Sequence, residues 1–156
     1  MDHSRRTTLQ AAGGAGLYAA LVSIGLLRPG LASAEEFDRA GFKAKGAADT
    51  LKAMGAADAS QSTDVVITSP DIAENGAVVP IAVRSNLPGT DQIALIVDKN
   101  PNGLAGAYEF LDGALPEVSM RIKMGESSDV VALVRADGKY YMARKEIKVT
   151  LGGCGG

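Results

Sequence analysis

The chain has one cysteine, one histidine and no tryptophan in 156 residues. A single cysteine excludes an intramolecular disulfide, a CxxC redox pair and a structural zinc site built on thiolates. The histidine is His3, in a leader segment expected to be removed. Without it no Ser-His-Asp triad, Cys-His pair or imidazole metal site can be assembled. An excess of basic charge is also missing: 16 Lys and Arg stand against 18 Asp and Glu, a net charge of −2, so there is no basic footprint for nucleic acid. The one extended apolar run, residues 11–27, is short for a membrane span and broken by Gly13, Gly14, Gly16 and Gly25. Most ordinary routes to an enzyme are closed, and no catalytic residue, cofactor site or metal site is expected.

The first residues that are informative say where the protein works. Ser4, Arg5, Arg6, Thr7, Thr8 and Leu9 form a twin-arginine start, residues 11–27 are weakly apolar, and Ala32, Ser33 and Ala34 supply a small-x-small cleavage site. A charged, an apolar and a cleavable region in that order read as a twin-arginine export signal over residues 1–34, with the mature chain starting near Glu35. The expected location is periplasmic, with no membrane contact after cleavage. Arg5, Arg6, Arg28 and Asp2 leave with the signal, so 13 Lys and Arg remain against 17 Asp and Glu. The mature chain is long enough for one domain with a real core, not two.

That domain, residues 35–151, begins with a helical pattern. In "GAADTLKAM", residues 46–54, Ala47, Leu51 and Met54 recur at i, i+4 and i+7, which predicts a short helix lying against a core edge. From Asp64 the signal changes to strands: "DVVITSP", "GAVVPIAVRS", "DQIALIVDK", "AYEFL", "PEVSMRIKMG", "SDVVALVRADG" and "KYYMARKEIKVTL". Six or seven short runs punctuated by Gly, Pro and Asn predict an all-β antiparallel sandwich. "PEVSMRIKM" places Val118, Met120, Ile122 and Met124 on one face and Ser119, Arg121 and Lys123 on the other. "QIALIV" is apolar on both faces, which predicts a central strand or one turned to a partner. With only three Phe and four Tyr to fill a core, an apolar face completed by another subunit is expected. Asp137-Gly138 predicts a tight hairpin turn, and "ARKEIK", residues 143–148, the solvated edge of a strand.

Residues 98–109, "DKNPNGLAGAYE", satisfy the Asp, Asn, Asn, Gly, Glu spacing of a calcium-binding loop. Such a loop needs a helix on each side, whereas strand patterns flank this one. The interior Pro101 and the presence of only two acids at ligand positions also argue against a metal. The stretch is read as a connection between strands.

The last strand pattern runs into "GGCGG": Gly152, Gly153, Cys154, Gly155 and Gly156. Glycine gives this segment little reason to fold, so the lone thiol is expected to hang from a flexible arm of residues 152–156. An unpaired, exposed cysteine in an oxidising compartment suggests covalent cargo or an inter-protein disulfide through Cys154. No Lys, Arg or His flanks Cys154 closely enough in sequence to activate it, as expected of a carrier rather than a catalyst. A thiol-disulfide adaptor and a purely structural sandwich module are the competing readings. The adaptor lacks a resolving cysteine.

The twin-arginine start, "ENGAVVPIAV", "DKNPN", "PEVSMRIKMGESSDVVALVRADGKYYMARKEIKVT" and the terminal "GGCGG" together resemble the SoxY family, the sulfur-carrier subunits of the periplasmic thiosulfate-oxidising Sox system. The resemblance implies an immunoglobulin-like sandwich and a heterodimer with a small SoxZ-like subunit. It implies an arm on which Cys154 carries sulfur intermediates. It also implies transient visits to SoxAX, SoxB and SoxCD-like enzymes.

Overall fold

A computed structural model describes residues 40–150. The described residues all lie in the second of two units of the chain, the one that begins at Asp38. The predicted signal peptide lies outside the described residues, and so do Cys154 and the glycines beside it.

The second unit is a two-sheet sandwich with a helix on one outer face. Its elements are helices α1 (Ala40–Lys43) and α2 (Gly46–Ala53) and strands β1 (Ser60–Gln61), β2 (Val65–Thr68), β3 (Ile72–Ala73), β4 (Val79–Ser85), β5 (Thr90–Val97), β6 (Leu104–Glu109), β7 (Glu117–Ile122), β8 (Ser128–Ala136) and β9 (Lys139–Val149). The larger sheet has the order β1-β9-β8-β5-β6, with β3 also pairing to β9; the smaller is β2-β4-β7. All seven expected strands are present, and their mutual pairing is antiparallel. The two short additions differ: β1 and β3 both join β9 in parallel register.

Alternation places the core between the sheets. Ile93, Leu95 and Val97 of β5 and Val130, Ala132 and Val134 of β8 meet Val79, Ile81 and Val83 of β4 and Val118 and Ile122 of β7, all buried. Met124 completes the β7 stripe at 0% exposure, while Ser119, Arg121 and Lys123 face solvent as the alternation requires.

The two-sided apolarity of "QIALIV" has its cause in the helix. The alternate residues Ala94 and Ile96 of β5, with Val131 and Leu133 of β8, form a second cluster with Ala47 and Leu51 of α2, and Met54 and Phe42 pack against it. β5 is therefore central and covered on both faces, so the expectation that this strand offers an apolar face to a subunit is corrected. Aliphatic side chains fill both layers, which is why few aromatics suffice.

The hairpin joining β8 to β9 is the expected tight turn. Asp137 and Gly138 both take positive φ, 49° and 72°, the left-handed pair that matches the twist of the flanking strands.

Candidate functional site

β9 leads toward Cys154. Its eleven residues run the length of the larger sheet, roughly 35 Å at about 3.3 Å per residue, from the hairpin to Val149. Val149 and Thr150 are the last described residues, the root from which the chain leads on toward the predicted arm. Cys154, Gly152, Gly153, Gly155 and Gly156 lie beyond it, outside the described residues.

The root is gripped on two sides. On the β8 side, the Val149 N–H donates to Ser127 Oγ at 2.8 Å, just past the last ladder pair, Ser128 with Ile147. On the other side, residues 69–76 form a strap along β9. The Lys148 N–H donates to the Asp71 carbonyl (2.9 Å) and the Thr150 N–H to the Ala73 carbonyl (3.1 Å). Thr150 Oγ1 donates to the Glu74 carbonyl at 3.0 Å. The strap is itself held down: Lys145 Nζ donates to the Ser69 carbonyl (2.7 Å) and lies 3.0 Å from the Asp71 carboxylate. Ala73 is buried in the core, the Met124 N–H donates to the Gly76 carbonyl, and Asn75 Oδ1 accepts from the Ala77 N–H in a side-chain turn.

The "ARKEIK" run is thus more than a solvated edge. Glu146 and Lys148 are exposed, and Arg144 pairs with Asp129 on β8 at 3.0 Å, but Lys145 turns onto the strap. Nothing in the sequence marks this contact, because its acceptor is a backbone carbonyl 76 positions away.

The calcium template is taken apart by the fold. Asp98 Oδ1 accepts the Ala47 N–H at 2.6 Å, capping α2 from a distant loop; Lys45, which precedes the helix, gives it no side-chain cap. Asn100 bridges to the segment after β7, its Nδ2 donating to the Lys123 carbonyl and its Oδ1 accepting from the Gly125 N–H. Glu109 is the last residue of β6, opposite Gln92. The loop is close-packed against α2 at Gly103, where a Cβ would stand 2.5 Å from Thr50 Oγ1 and 2.7 Å from the Gly46 carbonyl. These bonds tie the loop after β5, the loop after β7 and α2 into a collar at the end of the sandwich where β9 terminates. Among the described residues no group of three or more His, Cys, Asp and Glu is placed to hold a metal ion.

Two open grooves lie at the opposite, hairpin end. One of about 290 Å³ is lined by Gly55, Ala56, Asp58, Lys139, Tyr140 and Tyr141 among others. Another of about 440 Å³ lies between Leu87, Asp91, Phe110, Leu111 and Pro116. Arg135 sits at that end with its Nε 2.7 Å from Asp91 Oδ1, and the bond to Asp91 holds its pKa above the ordinary guanidinium value. Desolvation opposes the rise, and Tyr140 adds to it. Neither groove is lined by residues of the arm root.

Comparisons with known proteins bear on the same end of the chain. The sequence matches the family described as sulfur oxidation protein SoxY over residues 51–154, a stretch that ends on the cysteine. The fold is similar to that of the sulfur carrier protein SoxY from Chlorobium limicola f thiosulfatophilum, with 35% identity and a TM-score of 0.61 over 65% of this chain and 89% of that one. It is also similar to a superoxide reductase (neelaredoxin) from Ignicoccus hospitalis, with 22% identity and a TM-score of 0.50 over 55% of this chain and 78% of that one, a likeness of fold alone. No curated protein sequence gives a significant match.

Proposed function

Since this chain belongs to the SoxY family of sulfur oxidation proteins, we propose that it is a sulfur carrier that holds thiosulfate-derived intermediates covalently on Cys154. The observation that carries the reading is the family match running through residue 154, onto the one thiol the chain possesses. The anchored root of β9 supports it, because a carrier needs a firm base from which to present its cargo.

The chemistry is that of the thiol. The Cys154 thiol is joined to the sulfane sulfur of thiosulfate with loss of two electrons to a cytochrome partner and of the thiol proton to solvent, forming an S–S bond and leaving Cys-S-S-sulfonate. Water then cleaves the bond between the sulfane sulfur and the sulfonate, releasing sulfate and a proton and leaving a persulfide on Cys154. Partner enzymes supply each activation step, and residues 152–156 act as a flexible arm whose glycines let one thiol enter several clefts. Covalent attachment keeps reactive sulfur from escaping between them.

The chain is exported by the twin-arginine route through residues 1–34 and works in the periplasm as a non-catalytic subunit. It pairs with a SoxZ-like subunit and meets SoxAX, SoxB and SoxCD-like enzymes in turn. The same thiol can form an inter-protein disulfide.

Intact-mass measurement of protein isolated from sulfur-oxidising cells tests this. Sulfur or sulfonate adducts on the peptide containing Cys154 are expected. Cys154→Ser should abolish thiosulfate-dependent electron transfer in a reconstituted system without moving the thermal midpoint. Full turnover by that variant would end the carrier reading.

A further inference from the structure

The strap over β9 has no counterpart in the sequence pattern of a sandwich. Residues 69–76 contribute only the two-residue β3 to a sheet, yet they supply carbonyl acceptors to Lys145, Lys148 and Thr150, three residues at the end of the final strand. Thr150 is tied twice, through its N–H to Ala73 and through its hydroxyl to Glu74. Ser127 holds Val149 from the opposite edge. The regular ladder with β8, by contrast, already ends at Ile147.

We infer that residues 69–76 are a clamp that sets the pivot of the Cys154 arm at Thr150, with Thr150 and Lys145 as positioning residues. This rests on the carrier reading for its purpose, though the clamp itself is a property of described residues. Its effect on reach is calculable. Four Cα–Cα steps lead from Thr150 to Cys154, so the cysteine Cα travels at most about 13–14 Å from the root. Were the clamp and the Ser127 bond to Val149 both undone, the pivot would retreat to Ile147 and the tether would grow to seven Cα–Cα steps, or about 23–25 Å. Effective concentration in a docked partner's cleft falls roughly as the −3/2 power of tether length, about a twofold loss before any misdirection of the arm.

The test uses the purified chain with Lys145→Met, Thr150→Val and Ser127→Ala combined, which removes both side-chain donors to the strap and the Ser127 acceptor of Val149 while leaving every backbone donor in place. Residue-resolved hydrogen exchange should show protected Lys148 and Thr150 amides in the native protein. In the variant those amides should exchange about tenfold faster, with Leu95 and Leu133 in the sheet centre unchanged. kcat/KM for hydrolysis of the Cys154-borne sulfonate by a partner hydrolase should fall at least twofold, while alkylation of Cys154 by iodoacetamide, which needs only exposure, holds its rate. An unprotected Thr150 amide in the native chain would overturn the clamp. Faster exchange in the variant with unaltered kcat/KM would overturn its positioning role. Failure of the carrier reading itself shows differently, as the absence of any thiosulfate-derived adduct on Cys154 while the exchange behaviour stands.

Discussion

Replacing Asp98 by alanine should destabilise the domain through a helix 51 positions earlier in the chain. The Asp98 carboxylate takes the Ala47 N–H at 2.6 Å, the bond a local N-cap side chain would make if Lys45 could supply one. Caps of this kind contribute about 1–2 kcal/mol, and a negative charge at a helix N-terminus is included in that range. The loss cannot be evaded by letting α2 detach, because Ala47 and Leu51 cover Ala94, Ile96, Val131 and Leu133, all at 0–1% exposure. Unfolding entropy of about 2.1 cal/mol/K per residue over roughly 110 residues gives a slope near 0.23 kcal/mol per degree. The expected fall in Tm is therefore about 4–9 °C by calorimetry. Asp98→Asn keeps the acceptor and loses only its charge, so it should fall by about 1–4 °C. Millimolar calcium should leave all three proteins unmoved. A Tm loss under about 1 °C in the alanine variant, or equal losses in both variants, would refute the capping argument. A calcium-dependent rise in the native protein alone would return residues 98–109 to the metal reading.

Two further outcomes follow from contacts already described. Gly103→Ala should cost about 1–3 kcal/mol in urea unfolding, since its Cβ would meet both a β-branched side chain and the backbone of Gly46, and neither can yield cheaply; a cost under about 0.5 kcal/mol would show the loop to be looser than described. The raised pKa of Arg135 contributes stability that is complete below its ordinary guanidinium value and is lost only as pH rises through the still higher folded value, so it adds no slope between pH 6 and 9. With the pair 31% and 47% exposed, Asp91→Asn should cost under about 1 kcal/mol, equally at pH 6 and pH 9; a loss that changes across that window would point to another titrating group.

Legibility in the sequence followed the range of the interactions. The strands could be read because alternation and turn residues are local, and Asp137-Gly138 carried its turn type in two letters. "QIALIV" could not be resolved alone, since two-sided apolarity says that both faces are covered without saying by what; α2 was the answer, and its own stripe was visible upstream. β1, β3 and α1 left no signal. The two strands are two residues long and owe their existence to the edge of β9. The calcium template misled in the opposite way, because spacing records neither Asp98's bond to α2 nor Glu109's place in a ladder. At the functional end, Cys154 stood out by composition, whereas Thr150, Ser127 and Lys145 had no mark, their partners being backbone atoms brought near only by folding.

The parallel pairings on β9 bear on how the chain stays apart from its own copies. An eleven-residue outer strand with open backbone groups is a template on which a second copy can add its own strand. Here β1 occupies that edge at Tyr141 and Met142, β3 at Lys148 and Val149, and Lys145 reaches across the interval between them to the Ser69 carbonyl. Two copies zipped along this edge would run antiparallel, as a symmetric contact requires, and fuse two larger sheets into one. Loosening of the strap would accordingly announce itself as dimers in sedimentation, well before any loss of folded protein.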